Sequence, residues 1–256
     1  MNPYIGITGF RTPAEVSFLA KIFDDNLPRG SNRQFHVGAM ISRKTMLGEP
    51  SRFTQAFPPK ELLPAIFSGD EDWRYHCLHY ADYRDDPDLR EHLYQAIMGA
   101  GPGLHAVQLD MTWPDPGAVA SAVHDSRRIL EVILQIGPQA LEAAGNDLNE
   151  LTSDYRQVAS RVLIDLSIGK GQPLNPAKII PLLEIVADAL PEAGLVVAGG
   201  LGPDSVESLL GTILDRFPQV SWDATGQICV GGSGMNPLDL SRAGNYLQRS
   251  LALLAR

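Results

Sequence analysis

Cysteine is nearly absent: Cys77 and Cys229 are the only two in 256 residues. That excludes a disulfide framework, and the pair lacks the close spacing of a zinc knuckle or a redox dithiol, so both are expected to be buried thiols. Basic residues are also scarce, 21 Lys plus Arg against 30 Asp plus Glu, for a formal charge of −9. Broad attraction to nucleic acid or to anionic lipid is thereby disfavoured, and an anionic ligand would need a local positive site. Long apolar runs are missing too. Stretches such as Ala193 to Leu201 fall far short of a membrane span, and Met1 to Gly9 carries no basic region followed by an apolar core. A cytoplasmic protein is the expectation.

Low-complexity segments and hairpin turns are lacking as well, and what remains is a repeat. Eight β-type apolar runs read as strands: Tyr4 to Thr8, Phe35 to Ile41, Tyr75 to Tyr80, Leu104 to Asp110, Leu130 to Ile136, Val162 to Ser167, Leu195 to Gly199 and Val220 to Asp223. Helical segments separate them: Pro59 to Ile66, Pro87 to Met98, Gly117 to Arg127, Pro138 to Ala159 with a break at Gly145, and Pro237 to Leu254. Thr12-Pro13-Ala14-Glu15 spells a capping box, and Asn175-Pro176, Gly202-Pro203 and Asn236-Pro237 mark three more helix starts. Eight β-then-α units imply parallel strands with crossover helices, most economically closed into a single-domain (β/α)8 TIM barrel over residues 1–256. An open doubly wound sheet is the other arrangement this pattern allows. The long loops Asp24 to Asn32, Thr45 to Pro58 and Gly69 to Arg74 lie inside the repeat.

A barrel builds its active site at the carboxyl ends of its strands. Here those ends supply Thr8, Ser42-Arg43, His79 with Asp82, Asp110, Gln135, Asp165, Gly199-Gly200 and Asp223-Ala224-Thr225-Gly226. The Gly199-Gly200 and Thr225-Gly226 loops follow strands seven and eight, where backbone amides meet a phosphate in phosphate-binding barrels; paired glycines also make plain tight turns. Gly169-Lys170-Gly171 adds a lysine that would screen the same phosphate or simply sit in solvent. Asp165 closes the apolar Val162-Leu163-Ile164 run, where burial would raise its pKa towards that of a general acid, unless it caps the segment that follows. Asp110 closes its strand in the same way, and the two carboxylates are expected across the mouth from each other as an acid/base pair. His76 and His79 fall on opposite faces of their strand and do not chelate together, and His36 reads as structural.

With those residues in place, the chain resembles the phosphoribosylanthranilate isomerases, sugar-phosphate isomerases of tryptophan biosynthesis. The opening Ile5-Gly6-Ile7-Thr8-Gly9 is similar to that family's Lys-Ile-Cys-Gly-Leu-Thr, and Val107-Gln108-Leu109-Asp110 to its Val-Gln-Leu-His. Leu163-Ile164-Asp165, the Gly169 to Gly171 loop, Ala198-Gly199-Gly200-Leu201 and Ala224-Thr225-Gly226 follow in the family's order, across the whole chain. Arg43 resembles the arginine that meets the anthranilate carboxylate. The departures are Thr8 at the catalytic cysteine, Gly6 at the lysine, Asp110 at the histidine, and Trp222 where alignment on Gly226 expects Asp. An alcohol does not replace a thiolate as base near neutral pH. The resemblance implies a phosphorylated substrate bound by Arg43, Lys170, Gly199, Gly200, Thr225 and Gly226. It implies Amadori-type isomerisation without metal or organic cofactor; in this chain Asp165 is the expected acid, Asp110 the expected substitute base, and Thr8 is expected to be dispensable. An epimerase of the ribulose-phosphate type and a non-catalytic phosphosugar sensor are the alternatives.

Overall fold

The computed structural model describes residues 1–49, 55–84, 86–167 and 174–255. Eight parallel strands close into a barrel in sequence order, with the first paired to both the second and the last. They are β1 (Tyr4–Thr8), β2 (Gln34–Ser42), β3 (Arg74–Ala81), β4 (Ala106–Asp110), β5 (Glu131–Ile136), β6 (Arg161–Asp165), β7 (Gly194–Ala198) and β8 (Ser221–Ala224). Each apolar run read from the sequence is one of these strands, and the open sheet is excluded by the β1–β8 pairing.

The helices are α1 (Pro13–Asn26), α2 (Arg43–Met46), α3 (Leu63–Ile66), α4 (Leu89–Gly99), α5 (Pro116–Asp125), α6 (Pro138–Ala144), α7 (Leu148–Ser153), α8 (Pro176–Ala189), α9 (Val206–Arg216) and α10 (Leu240–Ala252). Local chemistry sets the starts of α1 and α8. Thr12 Oγ1 accepts from the Glu15 amide at 3.3 Å while Glu15 Oε2 accepts from the Thr12 amide at 2.9 Å, and Asn175 Oδ1 caps Ala177 N at 3.0 Å. Two expected starts move. Gly202-Pro203 forms a turn before α9, whose N-cap is Ser205. Asn236-Pro237 lies in an extended return instead: Val230 N donates to Pro237 O at 3.0 Å, and α10 begins after Asp239, which caps Ser241 and Arg242. The expected break at Gly145 is present, where φ is +54° and α6 stops. Among the described residues no helix is long and apolar enough to cross a membrane. Cys77 and Cys229 are both free and buried.

Strand parity produces two cores. Outward-facing side chains pack beneath the helices, and inward-facing Tyr4, Tyr75, Cys77, Ala106, Ile133, Leu163, Val196 and Ala198 fill the barrel itself. At the amino ends of the strands Arg161 plugs the interior. Its Nε lies 2.6 Å from Glu131 Oε2, its Nη2 donates to Asn2 O at 2.9 Å, and its guanidinium sits 5.2 and 5.0 Å from the Tyr4 and Tyr75 rings. Tyr75 donates its hydroxyl to the same Glu131 oxygen at 2.6 Å. A buried guanidinium is tolerable only with such partners. Glu131→Ala should therefore cost about 2–3 kcal/mol, discounted from the ~3–5 of a sealed pair because Glu131 reaches solvent. Urea denaturation measures it; a loss under about 0.5 kcal/mol would show that the aromatic rings and the Asn2 carbonyl suffice to hold Arg161.

Candidate active site

The carboxyl ends of the strands surround a cavity of about 910 Å³. Arg43, Asp110, Asp165, Gly199, Gly200, Thr225 and Gly226, all singled out from the sequence, line it together. Lys170 lies outside the described residues. His79, Tyr83, Gln135 and Asp223 line the same space.

Asp223, not Trp222, is the inward-facing residue at this end of β8. In a strand, a slip of one residue exchanges the two faces. Trp222 points outward, fully buried, with Nε1 3.3 Å from Ser250 Oγ on α10 and the Arg33 guanidinium 4.5 Å above its ring. Asp223 therefore points inward, with 4% of its surface exposed. Its Oδ2 accepts the Thr8 hydroxyl at 2.7 Å; its Oδ1 has no hydrogen-bond partner, and His36 Nδ1 stands 3.7 Å away. Burial is the main cause pushing the Asp223 carboxyl up to about 7, against the Thr8 hydrogen bond and the His79 ring. Burial likewise draws His36 down to about 3. His36, stacked on Tyr4 at 4.5 Å, is thus a neutral ring facing the site from inside the barrel.

Asp110 sits in an oriented network. Gln108 Nε2 donates to His79 Nδ1 at 3.1 Å and to Gln135 Oε1 at 2.7 Å. That leaves His79 Nε2 as the N–H that reaches Asp110 Oδ2 at 3.2 Å, and Gln135 Nε2 donates to Asp110 Oδ1 at 2.9 Å. The Tyr83 hydroxyl donates to Oδ1 as well. Burial would raise Asp110, but His79 and Tyr83 outweigh it and hold the carboxylate below its ordinary range. Such a group keeps its charge and makes a poor base at neutral pH.

Asp165 is half-buried rather than sealed by its apolar strand, and its Oδ1 accepts both the amide and the hydroxyl of Ser167 at 2.7 Å. Nor does it face Asp110 across the mouth. In a ring of eight the strand opposite β4 is β8, so Asp110 stands opposite Asp223, with Asp165 between them on β6. Arg43 is taken up by carboxylates: its Nε lies 3.2 Å from Asp82 Oδ2 and its Nη1 3.4 Å from Asp86 Oδ1, both acids buried. His76 and His79 do point to opposite faces, His76 bonding Gly103 O at 2.9 Å outside the barrel. Among the described residues no three His, Cys, Asp or Glu side chains are placed to hold one metal ion.

The glycine loops converge as expected. Gly199 and Gly200 have φ of +112° and +65°, accessible to glycine without strain. Ser205 Oγ braces the turn by donating to Gly200 O at 2.8 Å and accepting from Gly202 N at 3.1 Å. The amides of Gly200 and Gly226 donate to no protein acceptor among the described residues.

Asp223 and His36 make a paired prediction for stability. A carboxyl raised on folding contributes stability at low pH that is lost as pH rises from about 4 to 7, whereas an imidazole lowered on folding costs stability as pH falls from about 6.5 to 3. Between pH 4 and 6.5 the two slopes oppose each other. Relative to wild type, Asp223→Asn should gain about 1.4 kcal/mol per pH unit across that window, and His36→Phe should lose a similar amount. Denaturant titrations at pH 4.5, 5.5 and 6.5 would show it; parallel curves for wild type and both variants would refute the assignment.

No family model and no curated protein matches the chain. Among solved structures it is similar to the N-terminal domain of a putative aldolase from Bacteroides vulgatus, at 14% identity over 99% of this chain and 87% of that one, with a TM-score of 0.55. Orotidine 5'-monophosphate decarboxylase from Methanocaldococcus jannaschii matches at 10% identity over 97% and 98%, TM-score 0.50. A phosphonopyruvate hydrolase complex with oxalate and Mg++ matches at 16% identity over 86% and 75%, TM-score 0.50. At these identities the likeness is one of architecture, and together with the closed eight-stranded sheet it establishes a single-domain (β/α)8 TIM barrel.

Proposed function

We propose that this protein is an enzyme that binds a phosphorylated sugar or sugar adduct in the strand-end cavity and isomerises it by proton transfer. The observation that carries the reading is a pair of carboxyl groups on opposite strands of one cavity with pKa values pushed apart, Asp223 up to about 7 and Asp110 below the usual range. Asp223 replaces the sequence-based pair as proton carrier. As the acid it gives its proton to the ring oxygen as the anomeric C–O bond breaks; as the carboxylate it then takes the proton from C2, the carbon next to the anomeric one, leaving the enol that becomes the ketose, so the isomerisation balances through a single group. Asp110, held ionised by His79, Gln135 and Tyr83, supports positive charge developing on the substrate. Asp165, with Oδ1 fixed by Ser167, offers its other oxygen to a substrate hydroxyl. The unengaged amides beside Gly200 and Gly226 favour a phosphate between the last two loops. The motif order shared with the phosphoribosylanthranilate isomerases supports the same chemistry.

Differential binding tests it. A ligand that binds only the native state raises the apparent melting temperature by mass action. Pentose and hexose phosphates should raise Tm and their unphosphorylated counterparts should not; equal shifts for both would remove the phosphate site. With the substrate so identified, Asp223→Asn should lower turnover at least about a hundredfold while leaving the ligand-induced Tm shift intact. An active Asp223→Asn beside an inactive Asp110→Asn would restore Asp110 as the base. Tight binding with no turnover in the wild type would identify a phosphosugar sensor.

A further inference from the structure

We infer that Thr8 is a positioning residue for proton transfer by Asp223, seated with it in a cradle made by two glycines, Gly6 and Gly38. The inference rests on the proposed role of Asp223 and assigns work to the position expected to be dispensable.

The cradle is steric. A β-carbon on Gly6 would lie 2.4 Å from Asp223 Oδ1 and 3.0 Å from His36 Nδ1; one on Gly38 would lie 2.4 Å from Thr8 Oγ1. Neither glycine has a positive φ, so neither is needed for backbone freedom. Their missing side chains make room for the carboxyl and the hydroxyl. The registers agree, since Gly6 pairs with Asp223 and with His36, and Thr8 pairs with Gly38. Three strands thus build one pocket for two side chains, which lie 2.7 Å apart and 1% and 4% exposed.

A hydroxyl suits this place chemically, because it donates to Asp223 Oδ2 whether or not the other carboxyl oxygen carries a proton. Asp223 Oδ2 therefore keeps a partner in both protonation states, and the carboxyl keeps one orientation while its proton leaves and returns. Thr8 retains its own proton throughout; the proton that moves passes between Asp223 and substrate. The other groups facing Asp223 are Tyr4 on β1, His36 on β2, Cys77 and His79 on β3, Asp165 on β6 and Tyr246 on α10. His79 favours the carboxylate, Asp165 and burial oppose it, and the Thr8 bond is the strongest contribution on the side of the charged form.

The test is a ligand-free carbon-13 NMR titration of the side-chain carboxyls, with Asp223→Asn identifying the resonance. The wild-type Asp223 signal should titrate near neutrality. Thr8→Val keeps the shape and removes the hydrogen bond, so its midpoint should rise by about one pH unit, and Thr8→Ser should bring it back to within about 0.3. Gly38→Ala, whose methyl displaces Oγ1, should raise the midpoint as Thr8→Val does and covers the case in which the valine variant does not fold. A midpoint unmoved by Thr8→Val or Gly38→Ala, or a wild-type Asp223 titrating in the ordinary carboxylate range, would overturn the inference. Because no ligand is used, a protein that shows the shift and turns over no sugar phosphate refutes only the proposed function. An active isomerase with an unmoved midpoint refutes only the role of Thr8.

Discussion

A carboxyl group can enter the interior of a closed barrel only where a neighbouring side chain is missing, and the centre of this protein is organised by that constraint. The interior is packed to solid density, so Asp223 needs the space that Gly6 leaves, and Thr8 needs the space that Gly38 leaves. Burial makes the charged form costly and so holds the proton near its neutral-pH equilibrium. The same burial makes His36 a neutral ring, so between about pH 4 and 6.5 the folded barrel holds acid and imidazole where the unfolded chain holds carboxylate and imidazolium. The neutral pair carries no net charge into the core.

Closure then decides which groups can act together. The pairing row that runs Asp165, Ala198, Asp223, Gly6, His36 descends from the mouth into the barrel as it crosses strands. Asp165 sits at its open end and His36 at its sealed end, while Asp223 sits between, reachable from the cavity yet dry enough to keep a proton. Asp110, on the opposite strand, is treated differently by its surroundings: four polar side chains, Gln108, Gln135, His79 and Tyr83, orient and ionise it directly or through one another. Two aspartates of the same chemical type thus have their pKa values pushed in opposite directions for reasons visible in their neighbours.

The strands were legible in the sequence because both faces of a parallel barrel strand are buried, giving uninterrupted apolar runs such as Val162-Leu163-Ile164. Helix starts were legible at Thr12 and Asn175, where the side chain itself makes the cap, and misleading at Gly202-Pro203 and Asn236-Pro237, because the same residue types also make turns. Strand-end position brought Asp110, Asp165 and the glycine loops to one cavity, but it did not reveal facing. Anchoring on Gly226, outside the strand, cannot say which of Trp222 and Asp223 faces inward, because a slip of one residue reverses parity. Alternation from Ser221, the other polar residue of that strand, points to Asp223 as the inward acid. What Arg43 and Asp110 contact was not legible at all, since Asp82, Asp86, His79 and Tyr83 come from other strands and loops.

The alcohol at Thr8 has a different meaning once its partner is known. Taken alone, a threonine at the end of β1 supplies no base, because its hydroxyl holds its proton far above neutral pH. Beside Asp223 that property becomes the useful one: a group that never ionises can hydrogen-bond an acid and, more strongly, its conjugate base. Thr8 on β1 and Asp223 on β8 stand on neighbouring strands of the closed ring, so the hydroxyl and the carboxyl meet inside the barrel. Within this barrel, the hydroxyl that keeps its proton and the carboxyl whose pKa burial raises are joined by one 2.7 Å hydrogen bond.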